Sequence, residues 1–166
     1  MIRLAEQKDL VAINDIYTQA IHAQATADTT PIAMQAREAW FQAHPADRFP
    51  IYVYEIDKKV VAWLSITAYR PGRMALKNSA EISYYVDEQF LHQGFASQLL
   101  KHALEQASKL QLDTFIAIIL ENNLASIALM KKFGFTQWGH LPNVAEFDGE
   151  RVGHVYYGWQ LPNLNL

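Results

Sequence analysis

Residues 91–110 read LHQGFASQLLKHALEQASKL. The stretch opens on small residues, Gly94-Phe95-Ala96-Ser97, and then keeps Leu99, Leu100, Ala103, Leu104 and Ala107 at helical spacing, which predicts a helix over 95–110. A helix with so little side chain at its mouth has two explanations. Small residues make a tight turn at little steric cost, or they leave the backbone clear for a close neighbour. The first turn of a helix has unpaired N–H groups and a partial positive charge, so the natural neighbour is a phosphate. The stretch alone leaves both open, and its surroundings must decide.

Upstream, the apolar period is close to 2. Ile51–Ile56, 60–68 and 80–86 read as strands, the first two joined as a hairpin across Asp57-Lys58-Lys59. Downstream, TFIAIIL (114–120) is a β-rich apolar run typical of a buried strand. Asn122-Asn123 can cap a helix over 124–133, which Gly134 stops. Strands around 135–141 and 152–161 follow, separated by the turn FDGE. Before all of these come a short first strand, a helix over 9–24 with Asp9 as N-cap, and a second helix over 33–43. No linker, repeat or low-complexity segment interrupts the chain. This order predicts an α/β protein: one domain over 1–166, with a mixed sheet and helices on both faces.

Composition narrows the function. The chain has 166 residues, 51% hydrophobic and 19% charged, which suits a globular protein with a substantial core. A net charge of −3 without a basic run argues against a nucleic-acid partner. There is no cysteine, hence no disulfide, thiolate metal site or cysteine nucleophile. The six His residues show no metal-ligand spacing, so no metal is expected. Neither a signal peptide nor a membrane-length apolar run is legible, and a cytoplasmic protein without a membrane partner is expected.

The strand, small-residue helix mouth, second strand and Asn-led helix occur in an order that resembles the GNAT family of N-acetyltransferases. Within it the chain is most similar to the phosphinothricin and methionine-sulfone acetyltransferase branch. The resemblance runs from IRLAEQKDLVAINDIY through TADTTP, AREAWF and FP to AEISYYV, GFASQLL and ENNLASIALMKKFGF, the last block being the most specific. It implies a GNAT-type domain with a central, mostly antiparallel twisted sheet. The implied activity is acetyl-CoA-dependent transfer to the amino group of a small amino-acid-like acceptor, by direct attack in a ternary complex. Two alternatives are transfer to a peptide or protein N-terminus, and a non-catalytic acyl-CoA sensor.

The same resemblance assigns residues. The pyrophosphate of acetyl-CoA is expected on Gln93, Gly94, Phe95, Ala96 and Ser97, and its pantetheine arm along Tyr84, Tyr85 and Val86, with Asn123 and Ser126 contributing. Leu91 stands where relatives carry Gln or Arg, which removes one polar contact. Glu81 is the expected catalytic residue: an ammonium must shed a proton before it can attack a thioester. An ordinary Glu near pKa 4.3 is a weak base for this, and burial or a relaying water improves it. The position where many relatives carry a Tyr proton donor falls on Met130; Tyr85, Tyr156, Tyr157 or a water can serve instead. The residues themselves leave two readings of Arg70, Arg73 and Lys77 in AYRPGRMALKNS, a basic loop that clamps an acceptor carboxylate or a solvated basic loop, while the resemblance puts Thr26 in the early loop that walls the acceptor site. A homodimer is expected. The aromatic set Trp138, Tyr156, Tyr157 and Trp159 reads as core, with part of it free for a dimer contact.

Overall fold

The structure is a computed structural model that describes residues 1–162. Its elements are β1 (Ile2–Leu4), α1 (Leu10–His22), α2 (Met34–Gln42), β2 (Ile51–Ile56), β3 (Lys59–Ala68), β4 (Ser79–Val86), α3 (Phe95–Gln106), β5 (Thr114–Leu120), α4 (Leu124–Lys132), β6 (Thr136–Phe147) and β7 (Glu150–Gln160). The strands form one mixed sheet in the order β1-β2-β3-β4-β5-β7-β6. Every neighbouring pair is antiparallel except β4 with β5. No helix among the described residues is long and apolar enough to cross a membrane.

Burial explains the layering. On one face, Leu10, Ile13 and Ile16 of α1 pack on Ile51, Val53, Val60 and Trp63, with Trp40 and Phe41 of α2 beside them. On the other, Leu99, Leu100 and Ala103 of α3 and Met130 of α4 join the larger core over Leu64, Ile66, Ile82 and Phe115. β3 is buried almost throughout because helices cover both its faces.

Local chemistry sets the element ends. The β2–β3 hairpin turns on Asp57 and Lys58 alone, at φ +48° and +66°, the two left-handed positions of a type I′ turn. α4 ends in a Schellman motif. Gly134 (φ +82°) donates to the Lys131 carbonyl at 3.1 Å, and Phe135 donates to Met130 at 3.1 Å.

Three sequence expectations shift. Asp9 does not cap α1; it is buried before it, where it accepts the Glu6 N–H at 2.8 Å and two bonds from Arg3 at 2.6 and 2.9 Å. α3 ends at Gln106 rather than 110: the bonding tightens to i→i−3 at Ala107, and left-handed Gln111 ends the turns that follow. β6 runs on to Phe147, bulged between Gln137 and Gly139 and between Leu141 and Ala145.

One cation fastens the turn before β4 to the turn before β5. Arg48 donates to the carbonyls of Leu110, Gln111 (2.8 Å) and Lys77 (2.7 Å) and to Asn78 Oδ1 at 3.2 Å. Asn78 in turn accepts the Asp113 N–H at 3.0 Å and donates to Asp113 Oδ2 at 3.3 Å.

At the first strand, Arg3 bridges Asp9 and Glu55, meeting Glu55 Oε2 through Nε at 2.9 Å and Nη2 at 2.5 Å. Burial pushes the Asp9 carboxyl upward, but the Arg3 and Glu6 hydrogen bonds outweigh it and hold it below its ordinary value. Arg3→Met should therefore destabilise the fold by about 2 kcal/mol, chiefly by stranding the Asp9 charge, as read by urea unfolding at pH 7. The loss should shrink as pH falls below the ordinary Asp value of 3.8 and through the lowered folded one, where Asp9 becomes protonated in both states.

Candidate active site

β4 and β5 pair only at Ser79↔Thr114, Ala80↔Phe115 and Glu81↔Ile116. β4 then stays with β3 as far as Val86, while β5 stays with β7 as far as Leu120. Past Glu81 the two strands part, each with its outer edge paired and its facing edge open. The cleft between them holds about 770 Å3. It is walled by the parted strands, the mouth of α3, the first turns of α4, and the end of α1 with the loop that follows.

The mouth of α3 opens on this cleft. Gly94 is the N-cap at φ +83°, and a Cβ built there meets nothing within 4 Å, so the backbone lies open to the cleft. His92 before it is also left-handed, at φ +60°. Phe95 is the exception in size. It turns inward to the core, its ring 4.6 Å from that of Tyr54 and 6.3 Å from Phe90. Ala96 and Ser97 continue the lining without filling it.

Tyr84, Tyr85 and Val86 line the same cleft from β4, and Asn123 and Ser126 line it from α4. Asn123 Oδ1 accepts the Ser126 N–H at 3.1 Å, so its carbonyl is committed to the helix cap and its amide NH2 remains for a ligand. Thr26 lines the cleft too, within 3.0 Å of the Tyr17 hydroxyl and 3.3 Å of that of Tyr85. Gln93 is not among the lining residues, whereas Leu91 and His92 are. Met130 is fully buried in the core, so its α4 neighbours Ser126 and Leu129 face the cleft instead. The Tyr84 hydroxyl is buried without a hydrogen-bond partner, and burial pushes its pKa up to about 12.

A second cavity, of about 280 Å3, lies on the α1/α2 face of the sheet. It shares four residues with the cleft: Tyr17, Glu81, Ser83 and Tyr85. Its other walls include Asp28, Arg37, Trp40 and Trp63, together with Ser65 and Thr67. Sequence reading gave none of these a role, although AREAWF was in view. Arg37 is the buried residue of a helix whose other residues are exposed or half-buried, and charge patterning marks such an Arg as a surface residue. Its Nε donates to Asn14 Oδ1 at 3.0 Å, and Nη2 has no partner. Its guanidinium carbon is 4.8 Å from the Tyr17 ring centre and 4.7 Å from that of Trp40. Burial lowers its pKa, yet a guanidinium keeps its charge in proteins.

The basic loop falls elsewhere. Arg70, Arg73 and Lys77 are exposed on the turn between β3 and β4 and line neither cavity. Their proximity to Glu81 in sequence does not become proximity at the site, because the turn projects from the end of the strands. The aromatic set also divides: Tyr157 is core, Trp159 stacks on Phe115 and Phe135, Tyr156 lines the cleft, and Trp138 is exposed on the edge strand β6.

Glu81 stands where the two cavities meet, at the last paired register of the split. Among the described residues its carboxylate has no ion pair. Burial alone raises its pKa above the ordinary 4.5. Next to it across the β3–β4 ladder is Thr67, whose Oγ1 lies 2.9 Å from His44 Nε2. His44 Nδ1 is 2.6 Å from the Trp40 carbonyl, which can only accept. The proton is therefore on Nδ1, and Nε2 accepts from the Thr67 hydroxyl. Burial lowers the His44 pKa and keeps the ring neutral.

The sequence matches the family pattern described as the acetyltransferase (GNAT) family over residues 12–135. A Bacillus subtilis (strain 168) protein, provisionally named a phosphinothricin acetyltransferase, is 40% identical over 96% of this chain and 98% of its own. The L-methionine sulfoximine/L-methionine sulfone acetyltransferase of Pseudomonas paraeruginosa is 32% identical over 87% and 85%. Among solved structures, a provisionally assigned acetyltransferase of Salmonella typhimurium, with its cofactor acetyl-CoA, superposes with a TM-score of 0.91 at 27% identity, covering 97% of this chain and 93% of the other.

The environment of Glu81 predicts a stability effect independent of catalysis. Because its folded pKa is raised, the folded state holds this proton more tightly than the unfolded one. The associated stability is complete below about pH 4.5 and is lost as pH rises through the folded value. Glu81→Gln should accordingly raise the melting temperature at pH 8, with the gain fading toward pH 4; a gain of equal size at both pH values would show that burial of the charge is not the cause.

Proposed function

The chain belongs to the acetyltransferase (GNAT) family, and on that premise we propose that it moves acetyl from acetyl-CoA to the amino group of a small amino-acid-like acceptor. The observation that carries this reading is the junction of two cavities at a half-buried carboxylate, Glu81. The relatives' names, a phosphinothricin acetyltransferase and a methionine sulfoximine/sulfone acetyltransferase, point to the same acceptor class.

The large cleft suits acetyl-CoA. Gly94 and Ala96 leave the α3 mouth clear, and the N–H groups from Gly94 to Ser97, all of which line the cleft, are offered to the pyrophosphate. The open edge of β4 at Tyr84, Tyr85 and Val86 takes the pantetheine amides as an added strand, with the Asn123 amide and Ser126 facing it from α4. Acetyl-CoA supplies a carbonyl already activated as a thioester.

Glu81 accepts a proton from the acceptor ammonium, directly or through one water, and frees the nitrogen lone pair for attack. Its raised pKa brings it nearer that of the amine and makes it a better base than an exposed Glu. With no cysteine in the chain, direct attack in a ternary complex is the simplest path. A thiolate leaves with a pKa near 8.5. At about 12, the Tyr84 phenol keeps its own proton and steadies the departing sulfur as a hydrogen-bond donor, and the thiolate takes its proton from water. A homodimer belongs to the same proposal, with exposed Trp138, Leu141 and Val144 of β6 as its contact surface.

The alternatives find less support. A peptide N-terminus needs room for the residues that follow it, whereas the cavity beside Glu81 holds only about 280 Å3. A sensor of acyl-CoA has no use for a half-buried, unpaired carboxylate.

Two measurements test the reading. Glu81→Gln should lower kcat by about 10²–10⁴-fold at neutral pH, with acetyl-CoA affinity retained and partial recovery at high pH, where the amine arrives neutral. A near-normal kcat across the pH range removes Glu81 from the chemistry. Gly94→Val should weaken acetyl-CoA binding by calorimetry, since it puts a branched side chain on the approach to the α3 mouth and strains a left-handed position. Unchanged affinity in a folded variant moves the pyrophosphate elsewhere.

A further inference from the structure

His44 lines neither cavity, yet its ring reaches a residue that does. It follows Ala43, the C-cap of α2, where the helix leaves its last carbonyls unpaired. Had the helix gone on, the His44 N–H would have met the Trp40 carbonyl. That N–H turns to Phe41 at 3.0 Å instead, and the ring Nδ1 meets Trp40 at 2.6 Å. A carbonyl only accepts, so the helix end fixes the ring proton on Nδ1 and leaves Nε2 a bare lone pair. Burial, and then the charge of Arg37, hold the ring below its ordinary pKa against the pull of the Trp40 bond, so Nε2 stays an acceptor.

Thr67 is committed to that lone pair. Its hydroxyl has one proton, donated to His44 Nε2 at 2.9 Å, and two lone pairs with which to accept. Thr67 is half-buried, lines the smaller cavity, and stands opposite Glu81 on the β3–β4 ladder. Side chains paired in this way have Cβ atoms about 4.5–5.5 Å apart, which lets their ends share a hydrogen bond. Glu81 thus has beside it a hydroxyl that cannot donate. An ionised carboxylate gains nothing from such a neighbour, because both can only accept. A protonated one gains a bond, from Glu81 O–H to Thr67 Oγ1.

We infer that His44 is a positioning residue for Glu81, acting through Thr67. By holding the hydroxyl proton, it turns the Thr67 lone pairs to the carboxyl and favours the form of Glu81 that carries a proton. This rests on the reading of Glu81 as the base and deepens it. When a proton leaves the acceptor nitrogen and bonds to Glu81, the new O–H finds its own acceptor already in place. The other charged or titratable groups around this cavity are Tyr17 of α1, Asp28 of the loop after it, Arg37 of α2 and Tyr85 of β4. They are common to every variant below, so comparison between variants isolates the His44–Thr67 contribution.

The test follows the Glu81 carboxyl by carbon-13 NMR on glutamate-labelled protein, with Glu81→Gln identifying its signal. His44→Phe keeps a ring but removes the lone pair. The Thr67 hydroxyl is then free to donate to the carboxylate, and the Glu81 midpoint should move to lower pH. In a Thr67→Val background, His44→Phe should leave the midpoint where Thr67→Val alone puts it; in Thr67→Ser it should lower it again. An equal fall with and without the hydroxyl overturns the inference, because His44 would then act by packing alone. An unmoved or raised midpoint in His44→Phe overturns it too. Nitrogen-15 shifts of the His44 ring judge the wild type with no substitution at all: a proton on Nδ1 is expected, and one on Nε2 overturns the inference even where a His44 variant fails to fold. Rates test the base reading separately. His44→Phe should lower kcat roughly two- to fivefold at neutral pH, as a weaker base would, with KM for acetyl-CoA unchanged. A lowered Glu81 midpoint with kcat intact upholds the hydrogen-bond chain and removes Glu81 as the base.

Discussion

Three registers of parallel pairing hold β4 to β5, and past Glu81 the strands have no bond to each other. The rest of the site depends on that parting. It leaves two backbone edges facing one space, and it puts the last paired residue, Glu81, at the apex. α3 follows β4 and α4 follows β5, so both helices begin near the separated ends and turn their positive poles toward the gap. Strand pairing upstream and helix polarity downstream thus converge on one place, as expected at the carboxyl ends of parallel strands.

Alternation along β4 then separates the two halves of the site. Successive side chains point to opposite faces, so Glu81, Ser83 and Tyr85 look toward α1 and α2, and Ile82, Tyr84 and Val86 toward α3 and α4. A single strand therefore gives its open edge and one face to the large cleft, and its other face to the smaller cavity. The electrostatics of the small cavity are left unbalanced within the protein. Arg37 and Glu81 are both withdrawn from water and neither has an ionic partner among the described residues. Such an arrangement sacrifices folding stability for readiness to bind, a compromise common at functional sites.

Much of the fold was legible because it rests on local rules. The apolar period changed from 2 to 3.6 where strands gave way to helices, and Asn123 and Gly134 marked the ends of α4 by caps whose geometry the structure displays. Asp9 misled because an acidic residue before an apolar run looks the same whether it caps the next helix or pairs with an Arg six residues back. The mouth of α3 on the large cleft was readable in the same local way, from Gly94 and its neighbours. The smaller cavity was not. Its walls come from α1, α2, β3 and β4, and its cation sits on a helix whose other residues are exposed or half-buried. Sequence shows that Arg70, Arg73 and Lys77 are charged and close to Glu81 along the chain; it does not show that their turn projects away while Arg37 points inward.

The stitching at the paired end of β4 and β5 gives the split a mechanical character. Arg48, Asn78 and Asp113 lock the turns that precede the two strands, so the pair is stiff at its root and free at its tips. Thermal motion of such a fork grows with distance from the crotch. The tips at Val86 and Leu120 are laddered to Ala62 and His154 but not to each other, so the split can widen by bending the two half-sheets without breaking a β4–β5 bond. One pair of strands is thereby tied together at Glu81 and untied where a long guest would enter.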